Sequence, residues 1–203
     1  MREINLPISN TYSLTFPAKM DINNTEKVGD SLIVSLGTIV DSDKSKEVEI
    51  ARLNGGKVLY ATTSIEKIVE RILVKYFIGP FQGHDERRVM FENDVIQSSS
   101  FSYSFKKELI KKIINQHDLL KGKQKNNING HLKNIMIWRN AFAHGHIKYN
   151  DPKGCLIEYY SGEKKELFLT DVFWGKVEKN YVECESLLKS IDEKISSLYE
   201  EIE

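Results

Sequence analysis

The stretch Ile128–Gly145, INGHLKNIMIWRNAFAHG, predicts a helix over about Ile128–Ala143, with Gly145 placed to follow its C-cap. Ile135 and Phe142 lie four residues before and three after Arg139, which sets Arg139 on or beside the apolar stripe. An arginine there keeps its proton. It therefore needs an anionic partner, or a cleft or subunit interface to border. Asn140 and His144 are four residues apart and share a face, His144 in the last turn. Arg139 is five residues from His144, a gap its long side chain spans by reaching around the helix.

Working outward, the basic run Lys121–Asn127 reads as a flexible linker. Before it, a helix is expected over about Ser104–His117, with Phe105, Leu109, Ile113 and Ile114 inward. Lys106, Lys107, Lys111 and Lys112 then fall on its wet face. Upstream, the pattern from about Lys46 to Ile78 is helical. Ile65, Ile68, Val69, Ile72, Leu73 and Tyr76 recur at three- and four-residue steps and form one stripe. Gly79-Pro80 ends this helix. Gly55-Gly56 inside it either breaks the helix or lets another backbone come close. A short helix is expected at 86–96.

Residues 1–43 differ, carrying Pro7, Pro17, Gly29, Gly37 and β-rich runs at Tyr12–Phe16 and Ser31–Val40. They read as an extended arm before a helical domain at 44–203. On the other side of the central stretch, Cys155–Tyr160 and Glu166–Leu169 form a hairpin around Ser161-Gly162-Glu163-Lys164. Thr170 or Asp171 caps a last helix to about Tyr199, with Phe173, Val177, Tyr181, Leu188, Ile191, Ile195 and Leu198 inward. The expected fold is mainly α: a four-helix bundle with a β-hairpin between its last two helices and a β-rich N-terminal arm.

Composition is that of a globular protein, with 40% hydrophobic and 29% charged residues. The 29 basic and 29 acidic side chains cancel, so any nucleic-acid contact must use a local basic face. The first residues lack the apolar core of a signal peptide, and no apolar run is long enough for a membrane span. The two cysteines, Cys155 and Cys184, have no CxxC spacing, and a reducing cytoplasm is expected. GxxxxGK[ST], GxSxG and HExxH runs are missing from the sequence, which excludes those phosphate-loop, serine-hydrolase and zincin readings. No cofactor is expected.

The chemistry lies in the residue types at 139–144. A histidine side chain ordinarily titrates near neutrality and both takes and gives a proton, and a helix C-terminus favours its cation. Arginine is a permanent planar cation suited to phosphate, and asparagine offers a donor and an acceptor. Together they meet the needs of a ribose 2′-hydroxyl attacking its own phosphodiester: a base, a cation for the developing charge, and an acid for the leaving oxygen.

The run Arg139-Asn140-Ala141-Phe142-Ala143-His144, followed by Gly145 and set late in the third helix, resembles the R-x4-6-H motif of the HEPN superfamily. The likeness covers about residues 46–200. It implies a homodimer whose two motifs face one cleft and cut RNA without metal, as toxins or antiviral-defence components. His144 is then the general acid/base, Arg139 the phosphate ligand and Asn140 the residue that orders the site. The likeness also implies an acidic residue on the first helix holding the arginine. Glu66 and Glu70 are the candidates, Glu70 preferred. Members inhibited by a nucleotidyltransferase antitoxin carry a modified tyrosine two residues after the histidine. Here His146 stands there, so that form of regulation is not expected, although an antitoxin or operon partner protein is.

Lys106, Lys107, Lys111 and Lys112 are candidate RNA-phosphate contacts, beside the alternative of a merely solvated face. Trp138 either stacks a base at the cleft or packs in the core or dimer interface. His146 is a further candidate contact. His144 and His146 lack a Cys or acidic partner at ligand spacing, so no metal is expected. The competing reading is a non-catalytic dimerisation or binding module of the same fold.

Overall fold

The computed structural model describes residues 1–7, 27–28, 31–32, 42–79 and 85–200. Within them lie a two-stranded pairing β1 (Lys27–Val28) with β2 (Ser31–Leu32), then α1 (Ser42–Ile78) and α2 (Glu86–Met90), which runs on into a π turn at Phe91–Ile96. There follow α3 (Tyr103–Gln116), α4 (Lys123–His144), β3 (His146–Asn150), β4 (Gly154–Ser161), β5 (Glu163–Phe168) and α5 (Asp171–Glu200). The expected strand at Tyr12–Phe16, and all of Ser31–Val40 beyond Leu32, lie outside the described residues. Among those residues, no helix is long and apolar enough to cross a membrane.

The fold is mainly helical, with a small antiparallel sheet between α4 and α5. α1 and α4 each pack against both α3 and α5, forming the central pair of a four-helix bundle. The repeat in α1 buries Ile65, Val69, Ile72 and Leu73 to within 2% exposure, and α5 turns Val177, Tyr181, Leu188, Ile191 and Ile195 fully inward. Trp174 is fully buried with them.

Gly55-Gly56 does not break α1, which passes through it. A Cβ on Gly55 would stand 2.8 Å from Cδ1 of Phe142, so glycine lets α4 lie close against α1 there. Ser102 caps α3 by accepting from the Phe105 N–H at 3.3 Å, and Thr170 Oγ1 caps α5 by accepting from Phe173 at 3.2 Å.

Four expectations are corrected. α4 starts at Lys123, so most of the supposed linker is helix, entered through Gly122 with φ +52°. α3 is rotated: Lys106, Ile110, Ile113 and Ile114 face inward, while Phe105 is 50% exposed and meets Phe101 edge-on at 4.9 Å. The hairpin is a three-stranded sheet, because His146–Asn150 pairs with β4 from His146↔Glu158 to Asn150↔Gly154. Along β3, Ile147 and Tyr149 are half-buried and His146, Lys148 and Asn150 exposed, an alternation only five residues long. α4 runs on through His144, so Gly145 is itself the C-cap, with extended backbone (φ −89°). A Cβ there would come within 2.8 Å of the Glu158 carbonyl oxygen, so glycine is needed for space where α4 turns into β3 under β4.

The first seven residues run over α1 and α5. Ile4 is fully buried, its N–H donates to Asn54 Oδ1 at 3.1 Å, and Asn54 Nδ2 donates back to the Arg2 carbonyl at 3.0 Å. Glu178 on α5 takes the Arg2 guanidinium at 2.6 Å and the Asn5 N–H at 2.8 Å.

Candidate functional site

Arg139, Asn140 and His144 are all exposed on the last turns of α4. The Arg139 Nη1 donates to Asn140 Oδ1 at 3.1 Å, so the amide oxygen steadies the guanidinium. Among the described residues Arg139 has no carboxylate partner and His144 no hydrogen-bond partner, which leaves both heads open to a ligand. Arg139 thus borders a cleft instead of sinking into the stripe. Phe142 and Ala141 take the inward positions, Phe142 stacking on Trp174 at 5.7 Å and Ala141 fully buried.

The cleft, of about 340 Å³, lies between three helices. α1 gives Thr62 and Glu66. The N-terminus of α3 gives Ser102, Tyr103 and Ser104, and α4 gives Met136, Arg139 and Asn140. Met136, Asn140 and His144 succeed one another at four-residue steps, so His144 stands one turn, roughly 6 Å, beyond the cleft's Asn140. Burial pushes the Tyr103 hydroxyl well above its usual range, with Cys184, Tyr181 and Glu66 adding to it. That hydroxyl is buried with no hydrogen-bond partner among the described residues, so the ring walls the cleft while its polar end points below it.

Neither candidate helix-one carboxylate pairs with Arg139; Glu66 lines the cleft beside it and Glu70 does not. Glu70 Oε1 is 2.6 Å from the Lys106 ammonium and its Oε2 is 2.8 Å from Lys67. Glu66 Oε1 is 2.7 Å from the same Lys106.

Lys106, expected on the wet face as an RNA contact, is therefore corrected to a buried structural cation, its side chain 6% exposed. The phase of α3 places it there, one turn before Ile110. Lys107 is half-buried and pairs with Glu108 at 3.4 Å, Lys111 approaches Glu108 at 3.7 Å, and Lys112 is exposed. Trp138 does not reach the cleft. It is 5% exposed, packed edge-on to Phe173 at 6.0 Å and stacked on Tyr181 at 6.4 Å. His146 is exposed at the first position of β3 and is not among the residues lining the cleft.

Thr62, Ser102, Tyr103, Ser104 and Met136 went unnoticed in the sequence. Only Met136 carried a signal, standing four residues before Asn140 on one face. The others arrive from separate helices. Among the described residues no three His, Cys, Asp or Glu side chains converge in a way that could hold a metal ion. No protein-family model, characterised protein or solved structure matches the chain.

Proposed function

We propose that this chain is a cytoplasmic endoribonuclease of the kind its HEPN-like motif implies. It cleaves RNA by 2′-hydroxyl attack without a metal ion and works as a homodimer in a toxin or antiviral-defence setting, where an antitoxin or operon partner protein restrains it. The observation that carries the reading is the open row of Arg139, Asn140 and His144 at the C-terminal end of α4, beside a cleft, with the guanidinium braced by an amide rather than neutralised by a carboxylate.

In this reaction a base removes the 2′-hydroxyl proton, the 2′ oxygen bonds to phosphorus, the P–O5′ bond breaks, and the 5′ oxygen takes a proton. The products are a 2′,3′-cyclic phosphate and a 5′-hydroxyl. His144 moves the protons, and the two His144 side chains of a dimer divide the roles of base and acid. Arg139 offsets the charge that builds on the phosphorane oxygens, and Asn140 keeps the guanidinium aimed.

The test is cleavage of total and transfer RNA in EDTA by the wild type, His144→Ala and Arg139→Ala. Both replaced side chains are exposed, so the variants should fold. The wild type should cut, and each variant should be slower by at least ~100-fold. Absence of cleavage by the wild type, or equal cleavage by all three, refutes the reading and leaves a dimeric binding module.

A further inference from the structure

The cleft beside the catalytic row has the chemistry of a base pocket. We propose that it seats a guanine next to the scissile phosphate, so that the enzyme cuts preferentially beside guanosine; this rests on the ribonuclease reading above. Its volume, about 340 Å³, is at the small end of ligand sites, which suits one nucleoside and not a duplex. It shares Arg139 and Asn140 with the catalytic row, and His144 follows one turn along α4. A nucleotide whose base enters the cleft therefore leaves its phosphate at the guanidinium.

The charges agree with such a ligand. A nucleotide is an anion at one end and a set of N–H donors at the other, and the cleft offers Arg139 for the first and the Glu66 carboxylate for the second. Glu66 is fixed by Lys106 through Oε1 at 2.7 Å, and Lys106 is anchored in turn by Glu70, so the carboxylate is held in place with Oε2 and the second lone pair of Oε1 left to accept from a ligand.

Among the bases, guanine alone presents two adjacent donors, N1–H and the N2 amino group, to a carboxylate. Uracil offers a single N–H between two carbonyl oxygens, and adenine and cytosine each set their amino group beside a ring-nitrogen acceptor. A carboxylate repels those acceptors. Ser102 accepts from the Phe105 N–H and keeps its own proton to donate, which suits the guanine O6. Tyr103 and Met136 supply apolar walls for the ring.

The experiment is calorimetric titration of guanosine, adenosine, uridine and cytidine 3′-monophosphates into the wild type, Glu66→Gln and Met136→Phe, with cut sites mapped on a mixed-sequence RNA. Guanosine monophosphate should bind the wild type at least about tenfold tighter than the other three. Glu66→Gln should erase that difference. Met136→Phe, which fills the cleft from another helix, should weaken all four and carries the test if Glu66→Gln fails to fold.

Equal affinity for the four nucleotides, or a guanosine preference unchanged by both variants, overturns the proposal. RNA cleavage without base preference or nucleotide selectivity overturns the pocket and leaves the ribonuclease. Guanosine selectivity lost in Glu66→Gln, with no RNA cut by the wild type, keeps the pocket and removes the ribonuclease.

Discussion

Replacing Lys106 with methionine tests the least expected feature of the structure, a cation inside the bundle. The ammonium lies 2.6 Å from Glu70 and 2.7 Å from Glu66, with the lysine side chain 6% exposed. Methionine keeps the apolar stem and removes the charge. Glu70 then retains Lys67 at 2.8 Å, but Glu66 loses its ion pair.

Breaking a buried pair from one side costs about 3–5 kcal/mol. Glu66 is 30% exposed, so water relieves part of this, and the low end, ~3 kcal/mol, is the expected loss. For a chain of this size that lowers Tm by about 6–12 °C. Lys112→Met, on the exposed side of the same helix, should stay within about 0.5 kcal/mol.

The pH dependence adds a second readout. Burial lowers the Lys106 pKa, and hydrogen bonds to Glu66 and Glu70 more than reverse this, leaving it above the ordinary value. With the folded value raised, the ammonium's contribution is complete below the unfolded lysine pKa of about 10.4 and is lost as pH rises through the folded value. Lys106→Met should lack that alkaline loss. Urea titrations followed by circular dichroism at neutral and alkaline pH measure both effects. A Lys106→Met protein within 0.5 kcal/mol of wild type at pH 7 would refute the argument, because it would place Lys106 in water.

Two other predictions concern the helix end and the core. Gly145→Ala puts a Cβ within 2.8 Å of the Glu158 carbonyl oxygen and should cost about 1–3 kcal/mol while displacing His144. It should therefore melt earlier and, on the proposed ribonuclease reading, cut RNA more slowly; an unchanged melt would show that the α4–β3 junction has slack. Burial pushes the Cys184 thiol and the Tyr181 hydroxyl far above their ordinary values. The unfolded chain then gives up these protons first, near pH 8.5 and 10, so stability falls as pH rises, by ~1.4 kcal/mol per pH unit for each ionised group. Urea midpoints from pH 7 to 10 should show this decline, and Cys184→Val should remove its earlier part.

Much of the bundle was legible because its apolar residues repeat locally. The α1 stripe from Ile65 to Leu73 and the α5 stripe from Val177 to Ile195 each specify a helix and its inward face without reference to any other element. The turn at Gly162, with φ +75°, is likewise a local property, and so is the capping by Thr170. The row Arg139, Asn140 and His144 could be found for the same reason, since all three residues stand on one helix at fixed angular offsets.

What the sequence left open depends on contacts between elements distant in the chain. The phase of α3 was misread because a lysine normally marks water. Here two glutamates contributed by α1 stabilise it indoors, and that pairing exists only after the helices dock. β3 escaped notice because its alternation spans only five residues right after the helix, and its hydrogen bonds come from β4. Glu66 and Glu70 share one helix and one residue type. Their different places, one lining the cleft and one paired with Lys67 and Lys106 outside it, follow from how α1 is rotated against α3 and α4. Helix periodicity is written in the chain itself. The cleft is a space between three helices, and its shape, its depth and the partner of each charge follow from packing that no single segment encodes.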